Sequence, residues 1–222
     1  MSLIIETTGP VSILRMDDGE NRFNPDTLAA LDEAFDELER ADGPRAAVLT
    51  GTGKFFSNGL DLEWMSGAGQ GEPEQVVAGT QALLAKVLLA PMPVLAAVNG
   101  HAFAAGAMLA LACDERVMRA DRGYFCLPEV DIGLPFTAGM AALITARLAP
   151  AAAHRLMVTG DRVGGGEAEN LGIVGATAAE DAVLATTVER AGQLAGKAGP
   201  TCAAIKAGLY APVGELLRAP AA

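Results

Sequence analysis

"NGHAFAAGAMLALACD", Asn99 to Asp114, has no side chain between His101 and Asp114 that could serve as acid or base at neutral pH. Its Gly, Ala, Met and Leu are packing residues. Yet an Asn-Gly turn followed by a run of small residues is where a backbone turns sharply and a helix opens. The run just before it, "MPVLAAVNG" (Met92 to Gly100), is short, apolar and suited to a buried strand. Strand, tight turn and apolar helix in succession predict a covered, mostly parallel sheet. A helix start also leaves N–H groups unpaired along its axis, which can hold an anion without any charged side chain.

The same grammar extends in both directions. "LIIETTG" and "VSILRMD" alternate as two short strands about Gly9-Pro10. "NPDTLAALDEAFDELERADG" reads as a helix, with Asn24 as cap, Pro25 in the first turn, and Leu28, Leu31, Phe35 and Leu38 on one face. "AAVLTG" (Ala46 to Gly51) is a second buried strand. A Gly-rich loop from Thr52 to Gly71 and a helix from Pro73 to Leu89 separate it from Met92. Beyond Asp114, "ERVMRAD" and "GYFCLPEVDIGLP" precede mainly helices from Ala138 onward. "LGIVGA" (Leu171 to Ala176) reads as a late strand, and the tail from Pro200 as a helix. No internal repeat and no disordered linker is evident.

Composition narrows the function. The 222 residues are 51% hydrophobic, enough for one large core, and carry a formal net charge of -11. An acidic chain without a basic block is a poor partner for nucleic acid or an anionic membrane. Cys113, Cys126 and Cys202 are widely spaced among apolar neighbours, as reduced thiols are. With only His101 and His154 and no paired Cys, ligands for zinc are scarce, and no metal is expected. "MSLIIETTGP" lacks the marks of a signal peptide, and the closing "PAA" is not a peroxisomal tripeptide. A soluble, cytoplasmic protein is the expectation.

Two strand-end turns, "GKFFSNGLDL" (Gly53 to Leu62) and "NGHAFAAGAM", could aim two backbone N–H groups at one oxygen. Taken singly, a Gly-containing turn is most often a tight turn and nothing more. The third element is "CLPEVDIGLP", where Glu129 and Asp131 stand in an apolar stretch rimmed by Pro128 and Pro135. A carboxylate in an apolar pocket has its pKa pushed up, which suits proton transfer near neutrality, but it could instead belong to a buried ion pair or a cap. Asp131, in a stretch that reads as a strand, is expected to be a structural group rather than a second acid.

The ordered set "ENRFN", "GKFFSNGLDL", "PVLAAVNGHAFAAGAMLALACD" and "LPEVDIGLP" resembles the crotonase (enoyl-CoA hydratase/isomerase) superfamily, from about residue 3 to 210. The resemblance implies an α/β fold, a crotonase-like spiral of repeated β-β-α units with a C-terminal helical region. It implies a core over residues 1–195 and a helical segment over 196–222 for packing or oligomerisation, in a homotrimer or dimer of trimers. The partner is an acyl-CoA thioester, and coenzyme A enters as part of the substrate, with no separate cofactor. Carried over block by block, the oxyanion donors are the N–H groups of Leu60 and Ala105. The CoA contacts fall to Arg22 and Phe23 of "NRFN", to Lys54 near the adenosine phosphate, and to Ser57, Asn58, Gly59 and Asp61. Arg22 reads equally well as a solvated surface charge.

The resemblance also separates the reactions. Hydratases of this superfamily carry two glutamates that position water; here those places hold Met108 and Glu129. Dienoyl-CoA isomerases need acids where this chain has Met108 and Thr137. A single glutamate is the pattern of Δ3,Δ2-enoyl-CoA isomerases, and "KFFSNGLDL" and "EVDIGLP" are similar to the plant peroxisomal ones. Glu129 is therefore expected to be the sole acid/base in an isomerisation serving β-oxidation of unsaturated chains. A divergent hydratase, another acyl-CoA enolate enzyme, or a binding protein without turnover are the alternatives. Trp64, Met65, Phe103, Met108 and Phe136 are placed in an acyl pocket, although such side chains commonly belong to a core. His101 is expected to be a packed, noncatalytic residue, and Ser57 lacks the His-Asp relay of a nucleophile.

Overall fold

The computed structural model describes residues 3–67 and 73–220. The end of the Gly-rich loop and the last two residues of the C-terminal segment fall outside these.

The opening hairpin is β1 (Leu3–Thr8) against β2 (Val11–Met16), antiparallel. From β2 inward the large sheet is parallel: β3 (Ala46–Gly51), β5 (Val94–Val98), β7 (Glu115–Arg119) and β9 (Ala176–Ala178) follow in spatial order β1-β2-β3-β5-β7-β9. Every residue of β3 and β5 is buried, as continuous apolar runs require when both sheet faces are covered. A small parallel sheet runs β4 (Phe55–Ser57), β6 (His101–Phe103) and β8 (Phe125–Cys126). Each step from β3 onward goes from the large sheet to the small one and then into a helix, which repeats a β-β-α unit along a spiral.

The helices follow their sequence signals. α1 (Pro25–Arg40) starts where Asn24 accepts from the Thr27 N–H at 3.0 Å, and it buries Leu28, Leu31, Ala34 and Phe35. Within the segment read as a loop, β4 and the short α2 (Leu62–Ser66) are ordered, with Asp61 capping α2. α3 (Pro73–Leu89) leads into β5. α4 (Ala105–Ala112) has all 8 residues buried. Two arginines meet its C-terminal end: Arg147 donates to Leu111 O (2.9 Å), Cys113 O (2.7 Å) and Asp114 O (2.9 Å), and Arg116 donates to Cys113 O at 2.9 Å.

α5 (Glu129–Ile132), α6 (Ala138–Arg147), α7 (Pro150–Thr159), α8 (Gly165–Asn170) and α9 (Val183–Leu194) precede α10 (Pro200–Arg218), which packs on α3 and α6. Lys206 ties α10 to the core by donating to Met92 O (2.9 Å) and Asp114 Oδ2 (2.7 Å). Among the described residues, no helix is long and apolar enough to cross a membrane.

Two sequence expectations need correction. The run Leu171–Ala176 is not a strand. Gly172 takes φ +68, Ile173 N–H returns to Ala168 O, and the chain closes α8 before pairing with β7 at residues 176–178. Its apolar residues are buried as a turn, for which strand-like composition gives no warning. Likewise Glu129–Ile132 is a turn of helix, with Asp131 N–H donating to Pro128 O at 2.9 Å. In a strand Asp131 would share a face with Glu129; the turn of helix carries it to another side. Its Oδ2 lies only 2.6 Å from where a Cβ on Gly160 would stand, and it does not line the cavity described next.

Candidate active site

The C-terminal ends of β4, β6 and β8 open onto one cavity of about 370 Å³. β4 delivers Asn58 and Leu60, β6 delivers Phe103, Ala104 and Ala105, and β8 delivers Pro128 and Glu129. Parallel strands place these consecutive ends on one edge, which brings together blocks far apart in sequence.

Two N–H groups face this space. Phe23 N–H donates to Gly59 O at 2.8 Å, and Asp61 N–H donates to Phe23 O at 2.9 Å. In a trans peptide the C=O and N–H point opposite ways, so the Leu60 N–H turns from Phe23 toward the cavity. Ala104 sits at φ 49, ψ −125 and starts α4, leaving the Ala105 N–H in the helix's unpaired first turn. Among the described residues, neither N–H meets an acceptor. The two loops touch: a Cβ on Gly59 (φ +85) would stand 2.9 Å from Ala104 Cβ and 3.1 Å from Ala105 N. Glycine is required there on both counts. Two close, unpaired donors can stabilise an oxygen on which negative charge develops.

Glu129 completes the arrangement. It is 7% exposed, and its Oε2 has no hydrogen-bond partner among the described residues. Burial pushes its carboxyl up to about 7, against a slight opposing effect of its own backbone N–H. It is the one carboxylate among the cavity-lining residues, and it shares the wall with apolar side chains that include Met108, Ile132, Leu134 and Met140. Such a group can accept a proton near neutrality and give it back.

The other expected residues divide. Phe103 and Met108 line the cavity. Trp64 and Phe136 do not; both pack half-buried against the core, while Met65 does line it, and Val77, Thr137 and Met140 join it in the wall. The last three come from α3 and the start of α6. No local signal marks them, because only the tertiary crossing of those helices makes them a wall.

Arg22 lies at the cavity, bonded to Glu20 at 2.7 Å, with Glu63 at 3.5 Å and Asp61 at 3.8 Å; Glu20 beside it raises its pKa. Asn58 donates to the same Glu20 carboxylate at 2.7 Å. Asp61 accepts from Trp64 N–H as the α2 cap. Phe23 is fully buried, so only its backbone reaches the loop, and Ser57 is sealed as well. Lys54 is exposed at the entry of β4, the end of the small sheet away from the cavity. His101 packs among Phe55, Phe103 and Tyr124, with ring centroids 5.0 to 5.6 Å away. Burial, then Arg122, Arg162 and Lys54, lower its pKa, and it does not line the cavity. Among the described residues no cluster of His, Cys, Asp or Glu is placed to hold a metal.

The chain is similar to two Arabidopsis thaliana proteins, enoyl-CoA delta isomerase 2, peroxisomal (39% identity over 219 residues), and enoyl-CoA delta isomerase 3 (40% over 217). Each match covers 93% of this chain and 91% of the relative. Among solved structures, an enoyl-CoA hydratase, EchA3, from Mycobacterium ulcerans superposes with a TM-score of 0.90 at 28% identity, covering 98% of this chain and 95% of that one. The profile described as enoyl-CoA hydratase/isomerase matches residues 6–219, and this chain belongs to that family.

Proposed function

We propose that this chain is a Δ3,Δ2-enoyl-CoA isomerase. The observation that carries the reading is the single buried, unpartnered carboxylate in the cavity: Glu129 stands alone, and Met108 occupies the place of a second acid. The similarity to the two plant delta isomerases supports the same activity.

In this mechanism the thioester oxygen of a 3-enoyl-CoA accepts hydrogen bonds from the Leu60 and Ala105 N–H groups. The Glu129 carboxylate removes a proton from C2, and the electron pair spreads as a dienolate onto the held oxygen. The protonated Glu129 then returns the proton to C4, which moves the double bond from C3–C4 to C2–C3. Nothing is gained or lost overall. One backbone donor of this type is worth about 3–4 kcal/mol of transition-state stabilisation. The apolar wall around Glu129 keeps water from competing for the dienolate. Arg22, which lines the cavity, is the cation offered to the CoA phosphates. The C-terminal helix, with Ile205, Leu209 and Leu216 exposed, serves self-association into trimers or dimers of trimers.

The test is a pair of assays on the purified protein. Isomerisation of 3-enoyl-CoA without hydration of 2-enoyl-CoA supports this reading. Rapid hydration of the second substrate would replace it with the hydratase reading, and binding of both without turnover would leave a binding protein. Glu129→Gln is expected to abolish isomerisation while acyl-CoA binding survives.

A further inference from the structure

One buried side chain joins both donor loops without reaching the substrate. Ser57, the last residue of β4, is fully buried. Its Oγ donates to Asn21 O at 2.7 Å and accepts from the Gly59 N–H at 3.2 Å. On its other side it abuts the start of α4: a Cβ on Gly106 would stand 2.4 Å from Ser57 O and 2.7 Å from Ser57 Cβ.

Asn21, the residue that receives the Ser57 hydroxyl, is itself fixed. It is buried at φ 52, and its side chain donates to Phe55 O (3.1 Å) and Phe56 O (3.2 Å) while accepting from Asp18 N–H at 2.9 Å. The frame behind Ser57 is therefore rigid, and Ser57 transmits that rigidity to Gly59.

Resting on the isomerase reading, we infer that Ser57 is a positioning residue that sets the direction of the Leu60 N–H relative to the Ala105 N–H. Gly59, at φ +85, has more rotational freedom than any other residue type would have there. The peptide after it, whose N–H is the donor of Leu60, is held on its carbonyl side by Phe23 N–H. The peptide before it is held by the Ser57 hydroxyl. With both peptide planes tied, the glycine cannot turn the donor away from the oxyanion position. Contact of the same residue with Gly106 fixes how far the second donor stands from the first.

Full removal of an oxyanion donor lowers kcat by about 10²–10³, and a donor left in place but free to tilt forfeits part of that. Ser57→Ala is accordingly expected to lower kcat roughly tenfold with KM for 3-enoyl-CoA nearly unchanged, since the interaction strengthens only in the transition state. The near-ultraviolet band of the enolate formed by a bound 3-ketoacyl-CoA should weaken in parallel. The pH midpoint of activity, which belongs to Glu129, should stay in place. Ser57→Cys, keeping a weak acceptor, should fall between the two and provides the measurement if the alanine variant does not fold. Retained kcat and enolate band in a folded variant would overturn the assignment. So would a raised KM with unchanged kcat, the mark of a substrate contact. If the wild-type protein forms the enolate band but does not isomerise, the isomerase reading fails while the role of Ser57 is still decided by the band.

Discussion

Glu129→Gln makes the protonation of the site visible as stability. The carboxyl titrates at about 7 in the folded protein against an ordinary value of 4.5, because burial disfavours its charge. The folded state therefore binds this proton more tightly than the unfolded chain does. Below about pH 4.5 both states are protonated and the full stability is present. As pH rises, the unfolded chain releases the proton first, and stability declines until the folded group also ionises near pH 7. A displacement of this size corresponds to about 3 kcal/mol. Glutamine has the same shape and no charge, so the variant lacks this decline. It does leave an amide without partners in a site where Oε2 has none, which costs about 1–3 kcal/mol at every pH. The diagnostic is thus the slope. Urea unfolding of both proteins at fixed concentration, from pH 4.5 to 8, should show the difference moving in the variant's favour by about 3 kcal/mol. Every other carboxylate contributes equally to both curves and cancels. A difference that stays constant across this range would refute the argument that Glu129 is buried, unpaired and proton-hungry.

The same titration predicts the rate profile: kcat/KM for 3-enoyl-CoA should rise with pH about a midpoint near 7, since the base must be ionised, and a profile flat from pH 5 to 8 would count against Glu129. Gly59→Ala forces φ +85 on an L side chain and drives its Cβ to 2.9 Å from Ala104 Cβ, so kcat should fall about 10²-fold or more, with stability lowered by about 1–3 kcal/mol. Ala104→Gly works in the opposite direction. Relief of the strain at φ 49, ψ −125 exceeds the added freedom of the unfolded chain, so a gain of about 1 kcal/mol is expected, read as a melting temperature about 2–4 °C higher with kcat retained. A lowered melting temperature would show that Ala104 is not strained.

What the sequence made legible follows the range of the interactions involved. α1 declares itself through Asn24, Pro25 and a local apolar stripe, and β3 and β5 through uninterrupted apolar runs; these are decided within a few residues. Glu129 was legible because a charged residue between Pro128 and a string of apolar neighbours is conspicuous. The stretch that holds Asp131 has strand-like composition but makes one turn of helix, and four residues are too few for periodicity to decide. Ile173 and Val174 have strand composition but are spent on closing α8, with Ile173 O accepting from Arg116 Nε at 2.6 Å across 57 residues. Ser57 stood in a block expected to touch CoA, and only its hydrogen bond to Asn21, 36 residues away, shows that it faces inward. Trp64 and Met65 are adjacent in sequence, and which of them reaches the cavity is fixed by how α2 lies against α3.

On the isomerase reading proposed above, the distribution of charge would let an apolar helix serve an oxyanion in a protein of net charge -11. α4 contributes no ionisable side chain, so any effect on an oxygen held there would come from the aligned peptides behind the Ala105 N–H. The partial negative end of such a helix would oppose an anion if it were left bare in the interior. Here Arg116 and Arg147 occupy that end, on carbonyls from Leu111 to Asp114. Arg116 bears the burial so heavily that its pKa is lowered to about 10, which leaves it charged at neutral pH. Two of the chain's 16 basic residues are therefore held behind the helix, where they neutralise its far end and leave the positive end uncompensated toward the cavity. The stretch that carries no charge of its own acts on charge because arginines outside it, brought near only by folding, complete its dipole.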